Sequence, residues 1–515
     1  MFIKVAMLVV FFAVMLGIGI YCRKTATDVN GFVLGGRSVG PWLTAFAYGT
    51  SYFSAVVFVG YAGQFGWKYG IAATWAGIGN AILGSLLAWV VLGRRTRVMT
   101  QHLDSATMPE FFGKRFGSDA LKIAASAIVF IFMIPYTASL YNGLSRLFAM
   151  AFPMFDYSVC VVVMAVLTGV YVIAGGYMAT AINDFIQGII MLVGIVAVIA
   201  AVLNSQGGFL AALDGLGRVV DESASATPGV FASFFGPDPV NLLGVVILTS
   251  LGTWGLPQMV QKFYAIKSEK SIKTGTVVST VFALVVAGGC YFLGGFGRLF
   301  ADKIDIAADG FDSVIPAMLS GLPDVLIAVV IVLVLSASMS TLSSLVLTSS
   351  STLTLDMVKG HMIKNMKEKQ QLLVMRALIV VFIAISAVLA IIQHKSSVTF
   401  IAQLMGISWG AMAGAFLAPF LYGLYWKRTT KVACWVSLLF SSLFMIANML
   451  WKASFPVLLQ SPINAGAFCM IAGLVIVPVV SLFTPKPDQA LVDDAFSCYE
   501  EKVLVPKSRA LGDDK

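Results

Sequence analysis

The sequence predicts an all-α, polytopic membrane protein with 13 transmembrane helices, ten of them forming two five-helix repeats of inverted topology. Three observations carry that expectation: apolar runs of spanning length from end to end, basic residues gathered in alternate loops, and matching interruptions in the second and seventh spans. Of the 515 residues, 59% are hydrophobic and only 11% charged, with a mean hydropathy of +0.90. A soluble domain would carry about a quarter charged residues. Apolar runs of about 20 residues match the roughly 30 Å hydrocarbon core. They lie near 3–22, 41–65, 69–93, 121–152, 157–178, 181–203, 240–261, 274–297, 322–350, 372–393, 398–425, 431–451 and 462–484.

The first run follows Lys4 and resembles a signal peptide, but it lacks a small-residue cleavage motif, and Arg23 and Lys24 follow it as a stop-transfer flank, so it is expected to stay as a helix. The loops then separate by charge. Arg23, Lys24 and Arg37 fall on one side, as do the basic residues of 94–122, Lys262, Lys267, Lys270 and Lys273, and those of 359–376, 427–431 and the tail from Lys486. The positive-inside rule makes that side cytoplasmic, the N-terminus external and the C-terminus internal. Loops 204–239 and 298–321, richer in acid than base, are then external. The net charge of +9 is a topology signal rather than a nucleic-acid footprint. Residues 104–117 read as a short amphipathic helix lying on the bilayer, and 485–515 as a disordered tail. The six cysteines read as small buried hydrophobes, and the three histidines, all in loops, make a histidine metal site unlike this chain.

The second span is interrupted over 47–52 (AYGTSY), with its break at Gly49-Thr50, and the seventh over 250–257 (SLGTWGLP). Such residues loosen backbone hydrogen bonding and free carbonyls to bind ions. Five spans separate the two breaks, so spans 2–6 and 7–11 enter from opposite faces, and the binding site is expected between the broken helices. Asp184 is the only charged residue between Tyr157 and Leu213. An isolated carboxylate in such surroundings needs a cation, a proton or a wet path. Ser340, Thr341, Ser343 and Ser344 place four hydroxyls in another apolar helix, and hard oxygen ligands favour a small alkali cation over a transition metal. Ala337, one turn earlier, can add a carbonyl. For the solute, the polar stretch around Tyr136 and Ser139 in span four and the second break with Thr253, Trp254 and Pro257 are candidates, with Ser54 beside the first break. The spans show no buried cation, which disfavours an anionic solute and favours a zwitterion or a neutral molecule.

Four segments carry a resemblance to the sodium:solute symporter family: 33–42 (VLGGRSVGPW), 108–116 (MPEFFGKRF), 175–187 (GGYMATAINDFIQ) and 338–344 (SMSTLSS). The resemblance implies the leucine-transporter-type 5+5 inverted repeat: 1–40 as an extra N-terminal helix and cytoplasmic loop, 41–203 and 240–425 as the repeats, 204–239 as an external loop, 426–484 as two additional helices and 485–515 as a cytoplasmic tail. It implies a sodium site on the carbonyls of Thr50, Phe53 and Ala337 and the hydroxyls of Ser340 and Thr341. A second sodium site of some members maps onto Ser340, Ser343, Ser344 and Asp184. The chain looks closest to the sodium/proline symporters, although those carry an aspartate where this chain has Tyr52. Sialic acid carriers place an arginine near the position of Tyr136, and sugar carriers a Glu-Gln pair where Val56 and Val57 stand here.

The expected function is therefore sodium-coupled import of a small zwitterionic or neutral solute, proline-like, across the plasma membrane by alternating access. Its partners are the solute, sodium and the bilayer, with no nucleic acid and no obligatory protein partner. A proton-coupled carrier with Asp184 as the proton-binding group, a carrier of a sugar or monocarboxylate, and a transporter-like solute sensor are the rivals. An enzyme is not expected, since the spans carry no catalytic constellation.

Overall fold

The computed structural model describes residues 2–500 apart from positions 153, 222, 223, 226, 360, 364 and 397–400. All regular structure among them is helical, apart from three isolated bridges. Among the described residues, ten helices are long and apolar enough to cross a membrane, or eleven when the bent pair Pro239–Gly255 and Pro257–Ala265 counts as one span. Two of the ten are too long for one crossing: 56–102, with 47 residues, and Tyr157–Ser205, with 49. Each contains one glycine in a region that other residues avoid, Gly70 (φ 61°, ψ −144°) and Gly176 (φ 54°, ψ −147°). The backbone breaks at both points because only glycine lacks the Cβ that would clash there.

At Gly176 a Cβ would also stand 2.8 Å from the Phe32 carbonyl oxygen. Gly176→Ala is therefore expected to cost about 1–3 kcal/mol from the backbone alone, with the contact adding to it. Wild-type yield and thermal unfolding of the purified variant would contradict this.

The two broken helices follow one pattern. Pro41–Tyr52 ends at Phe53 in an extended conformation (φ −89°, ψ 118°), and Pro239–Gly255 ends at Leu256 in nearly the same one (φ −82°, ψ 122°). Each following half-helix begins with a residue suited to a start. The Ser54 hydroxyl accepts from the Val56 amide at 3.2 Å, as an N-cap does, and Pro257 occupies the first helical position. The second pair bends by 46°. The second break, at Leu256, lies within the expected 250–257; the first, at Phe53, lies just past the expected 47–52 and three residues beyond Gly49-Thr50. Gly49 sits within the regular helix for a different reason, since a Cβ there would come within 2.4 Å of the Phe282 ring.

Three further expectations are corrected. Met108–Phe116 does not lie on the bilayer: Met108, Phe111, Phe112, Arg115 and Phe116 are buried, and Phe111 packs edge-on against Phe420 at 4.9 Å between ring centres. The tail is not wholly disordered, for Gln489–Ser497 is a helix with Val492, Ala495 and Phe496 buried, while 501–515 lie outside the described residues. Phe496 stands 4.9 Å from the Arg115 guanidinium, whose Nε donates to the Gly423 carbonyl at 2.9 Å. Burial lowers the Arg115 pKa to about 10, so it remains cationic at neutral pH. Lys262, expected among the loop bases, is instead 2% exposed within the fully buried half-helix Pro257–Ala265.

Candidate functional site

Helix Pro41–Tyr52 stops at Phe53, which leaves its last carbonyls without helical amide partners. Two of these free oxygens, on Thr50 and Phe53, meet the hydroxyls of helix Asp324–Thr352. Thr341 Oγ1 lies 3.1 Å from the Thr50, Phe53 and Ala337 carbonyl oxygens alike. Ser340 Oγ lies 3.3 Å from the Thr50 oxygen and 3.1 Å from that of Ala337. All of these residues are buried. A hydroxyl carries a single proton, so Thr341 can satisfy one of its three carbonyls and Ser340 one of two. The cluster therefore has more lone pairs than hydrogens. Excess oxygen lone pairs converging in a dry interior suit a small hard cation and nothing apolar. Every ligand that the resemblance implies for the first cation site is in this cluster.

The second expected set is arranged differently. Ser343 Oγ donates back to the Ser340 carbonyl at 2.9 Å, and Ser344 Oγ is shared between Ser51 Oγ at 2.9 Å and the Lys262 ammonium at 3.0 Å. Lys262 Nζ lies 3.8 Å from Asp184 Oδ2 and 5.1 Å above the Tyr177 ring. Neither Asp184 oxygen accepts a hydrogen bond among the described residues. The expectation that the spans hold no buried cation is thus corrected: Lys262 is one. The ammonium is nonetheless neutralised by Asp184 and offers no spare charge to an anionic solute.

A model of the sodium:solute symporter family matches residues 32–440. The chain belongs to that family. It is a secondary transporter, not an enzyme. It is 30% identical over 498 residues to a sodium/proline symporter of Staphylococcus aureus (strain JH9), covering 93% of both chains. It is 28% identical over 488 residues to an osmoregulated proline transporter of Bacillus subtilis (strain 168), covering 93% of this chain and 95% of the relative. Among solved structures, a sodium-coupled sialic acid symporter in a substrate-bound outward-open state superposes with a TM-score of 0.76 over 95% of this chain and 99% of its own, at 17% identity. A nucleobase-cation-symport-1 family transporter in a closed conformation gives 0.51 over 90% and 97%, at 13% identity. At these identities the likeness shows the shared fold.

The solute candidates of this symporter divide by their hydrogen bonds. Thr253 Oγ1 lies 2.8 Å from the Gly84 carbonyl oxygen, and Trp254 Nε1 donates to Leu83 at 2.8 Å, so both fasten the seventh span to residues 74–102. Ser139 Oγ donates to the Tyr136 carbonyl at 2.6 Å, and Ser54 and Pro257 start half-helices. Of these candidates, only Tyr136 has a buried hydroxyl with no well-aligned hydrogen-bond partner among the described residues. Its ring packs edge-on to Trp409 at 5.9 Å between centres, and the Trp409 indole N–H, which lies near the Tyr136 hydroxyl, likewise makes no well-aligned hydrogen bond among the described residues. Trp409 in turn covers Gly252, where a Cβ would fall 2.6 Å from its ring, one turn before the second break. Just past that break, both ends of the buried Gln258 amide lack partners among the described residues. The side chain of Tyr52 lies outside what the structure describes.

Gln258, Lys262 and Trp409 were missed from sequence. The available signal was polarity inside the seventh span, where Gln258, Gln261 and Lys262 follow the proline. A cavity of about 1140 Å³ opens between the two acidic loops, rimmed by Asp221, Asp238, Arg298 and Asp305, and reaches Gln64 and Phe65 on the half-helix after the first break.

Proposed function

We propose that this symporter imports a small zwitterionic amino acid of the proline class together with sodium, by alternating access. The observation that carries the sodium part is the surplus of oxygen lone pairs around Thr341. What supports the solute class is the neutrality of the unpaired groups near the breaks. Tyr136 and Gln258 offer donors and acceptors, and Trp409 a donor, matching a molecule with one positive and one negative end and no net charge. The names of the Staphylococcus and Bacillus relatives point the same way.

In this reading, sodium replaces the missing hydrogens of the cage and ties the end of Pro41–Tyr52 to Asp324–Thr352. The cavity between loops 204–239 and 298–321 is the entry from outside. Each inward-moving positive charge gains about 2.3 kcal/mol per 100 mV of membrane potential. Coupling needs only that sodium and solute favour the same conformation, and it is then reciprocal. Counting the bent pair as one span and dividing the two overlong helices at Gly70 and Gly176 gives thirteen spans. The like dihedrals at Phe53 and Leu256 support a 5+5 inverted repeat, with the N-terminus outside and the C-terminus in the cytoplasm of a plasma-membrane protein.

Uptake into liposomes of labelled amino acids, sugars and carboxylates, with and without a sodium gradient, tests the reading. Sodium-stimulated accumulation of a zwitterionic amino acid is expected, and accumulation driven only by a pH gradient would overturn it. In the same assay Gln258→Leu should raise the solute KM about tenfold to a hundredfold, since hydrogen bonds and unpaired groups of this kind are worth about 1–3 kcal/mol. An unchanged KM would remove Gln258 from the solute site.

A further inference from the structure

Lys262 stands in the one part of the site that neither the cation cage nor the solute groups use. Every residue of its half-helix, Pro257–Ala265, is buried, and Lys262 itself is only 2% exposed. Its ammonium is held from two other elements: by Ser344 Oγ at 3.0 Å on Asp324–Thr352, and by Asp184 Oδ2 at 3.8 Å and the face of Tyr177 at 5.1 Å, both on Tyr157–Ser205. Ser51 on the first broken helix closes the cluster through Ser344 at 2.9 Å. A carboxylate, a hydroxyl and an aromatic face are what a monovalent cation requires, and here the cation is part of the chain.

We propose that the Lys262 ammonium is the resident cation of the Asp184–Ser344 cage, so that this symporter binds a single sodium ion, the one held by Thr50, Phe53, Ala337, Ser340 and Thr341. The inference rests on the sodium-symport reading and deepens it. A second sodium on Asp184 and Ser344 would share both with a like charge, and like charges a few ångströms apart repel strongly where water is excluded. The remaining oxygens of that set are already engaged: Ser343 donates to its own helix, and Ser340 belongs to the first cage. Because Lys262 is tethered, this cation cannot leave during the cycle. It moves only if the half-helix after the second break moves, whereas sodium must bind and depart. Asp184 then keeps a lysine in place rather than ligating a transported ion, and each zwitterionic solute crosses with one net positive charge.

The test is equilibrium binding of radiolabelled sodium to the purified full-length protein, without solute, in wild type, Thr341→Ala, Lys262→Ala and the Lys262→Ala/Thr341→Ala double variant. One ion per wild-type protein, none in Thr341→Ala, two in Lys262→Ala and one in the double variant are expected. Two ions in wild type would overturn the inference while leaving sodium symport standing, and that measurement needs no variant to fold. A single ion in a folded Lys262→Ala variant would also overturn it, because the ammonium would not be what excludes the second. No sodium binding in wild type would remove the symport reading itself, and this inference with it.

Discussion

Replacing both Ser340 and Thr341 by alanine is expected to abolish sodium stimulation of uptake while leaving the protein inserted and folded. The pair supplies two of the oxygens that gather at the first break, and both lie within 3.3 Å of the Thr50 carbonyl. Removing them leaves only the carbonyls of Thr50, Phe53 and Ala337 facing the cation. A hydrogen-bonding group that faces a charge is worth about 1.5–3 kcal/mol, so losing two lowers sodium affinity by roughly 10²–10⁴-fold. The fold should tolerate the change, because each hydroxyl also bonds back to Ala337 on its own helix and such bonds contribute little to helix stability. Thr341→Ser, which keeps the oxygen, should retain most of the sodium response. Sodium dependence that survives in the double alanine variant would sink the site assignment.

The cation cage was legible in the sequence because hydroxyls are scarce in apolar helices, and four within five residues stand out against that background. The second break was legible for the same kind of reason, since proline removes a backbone donor wherever it falls. The first break was placed three residues early because glycine has two uses in a membrane helix. Gly49 serves close packing against Phe282, and the helix restarts instead at Ser54, whose capping role looks no different in sequence from any other serine. The helix at 108–116 has an apolar face that fits a bilayer or a protein interior equally, and only Phe416 and Phe420, some 300 residues away, decide between them. Lys262 was misread because loop charge was counted from a span boundary that fell just before it.

Asp184→Asn should destabilise the protein strongly, and Asp184→Asn combined with Lys262→Met should restore much of the loss. In the single variant the Lys262 ammonium stays buried with only Ser344 and the Tyr177 face for company. Breaking a buried ion pair by removing one partner costs about 3–5 kcal/mol, because the surviving charge is left uncompensated. Replacing both partners with neutral groups of similar size is often nearly neutral. The two residues sit on helices that meet only through tertiary contact, so the non-additivity of the cycle reports their pairing directly. Thermal unfolding of membrane proteins is commonly irreversible, and the comparison is therefore best made as inactivation rates or apparent midpoints at one heating rate. A double variant no more stable than Asp184→Asn alone would mean that Asp184 is stabilised by something other than Lys262. A rescued double variant that still binds sodium at the Thr341 cage would separate the two roles cleanly: one cation transported, the other built into the chain.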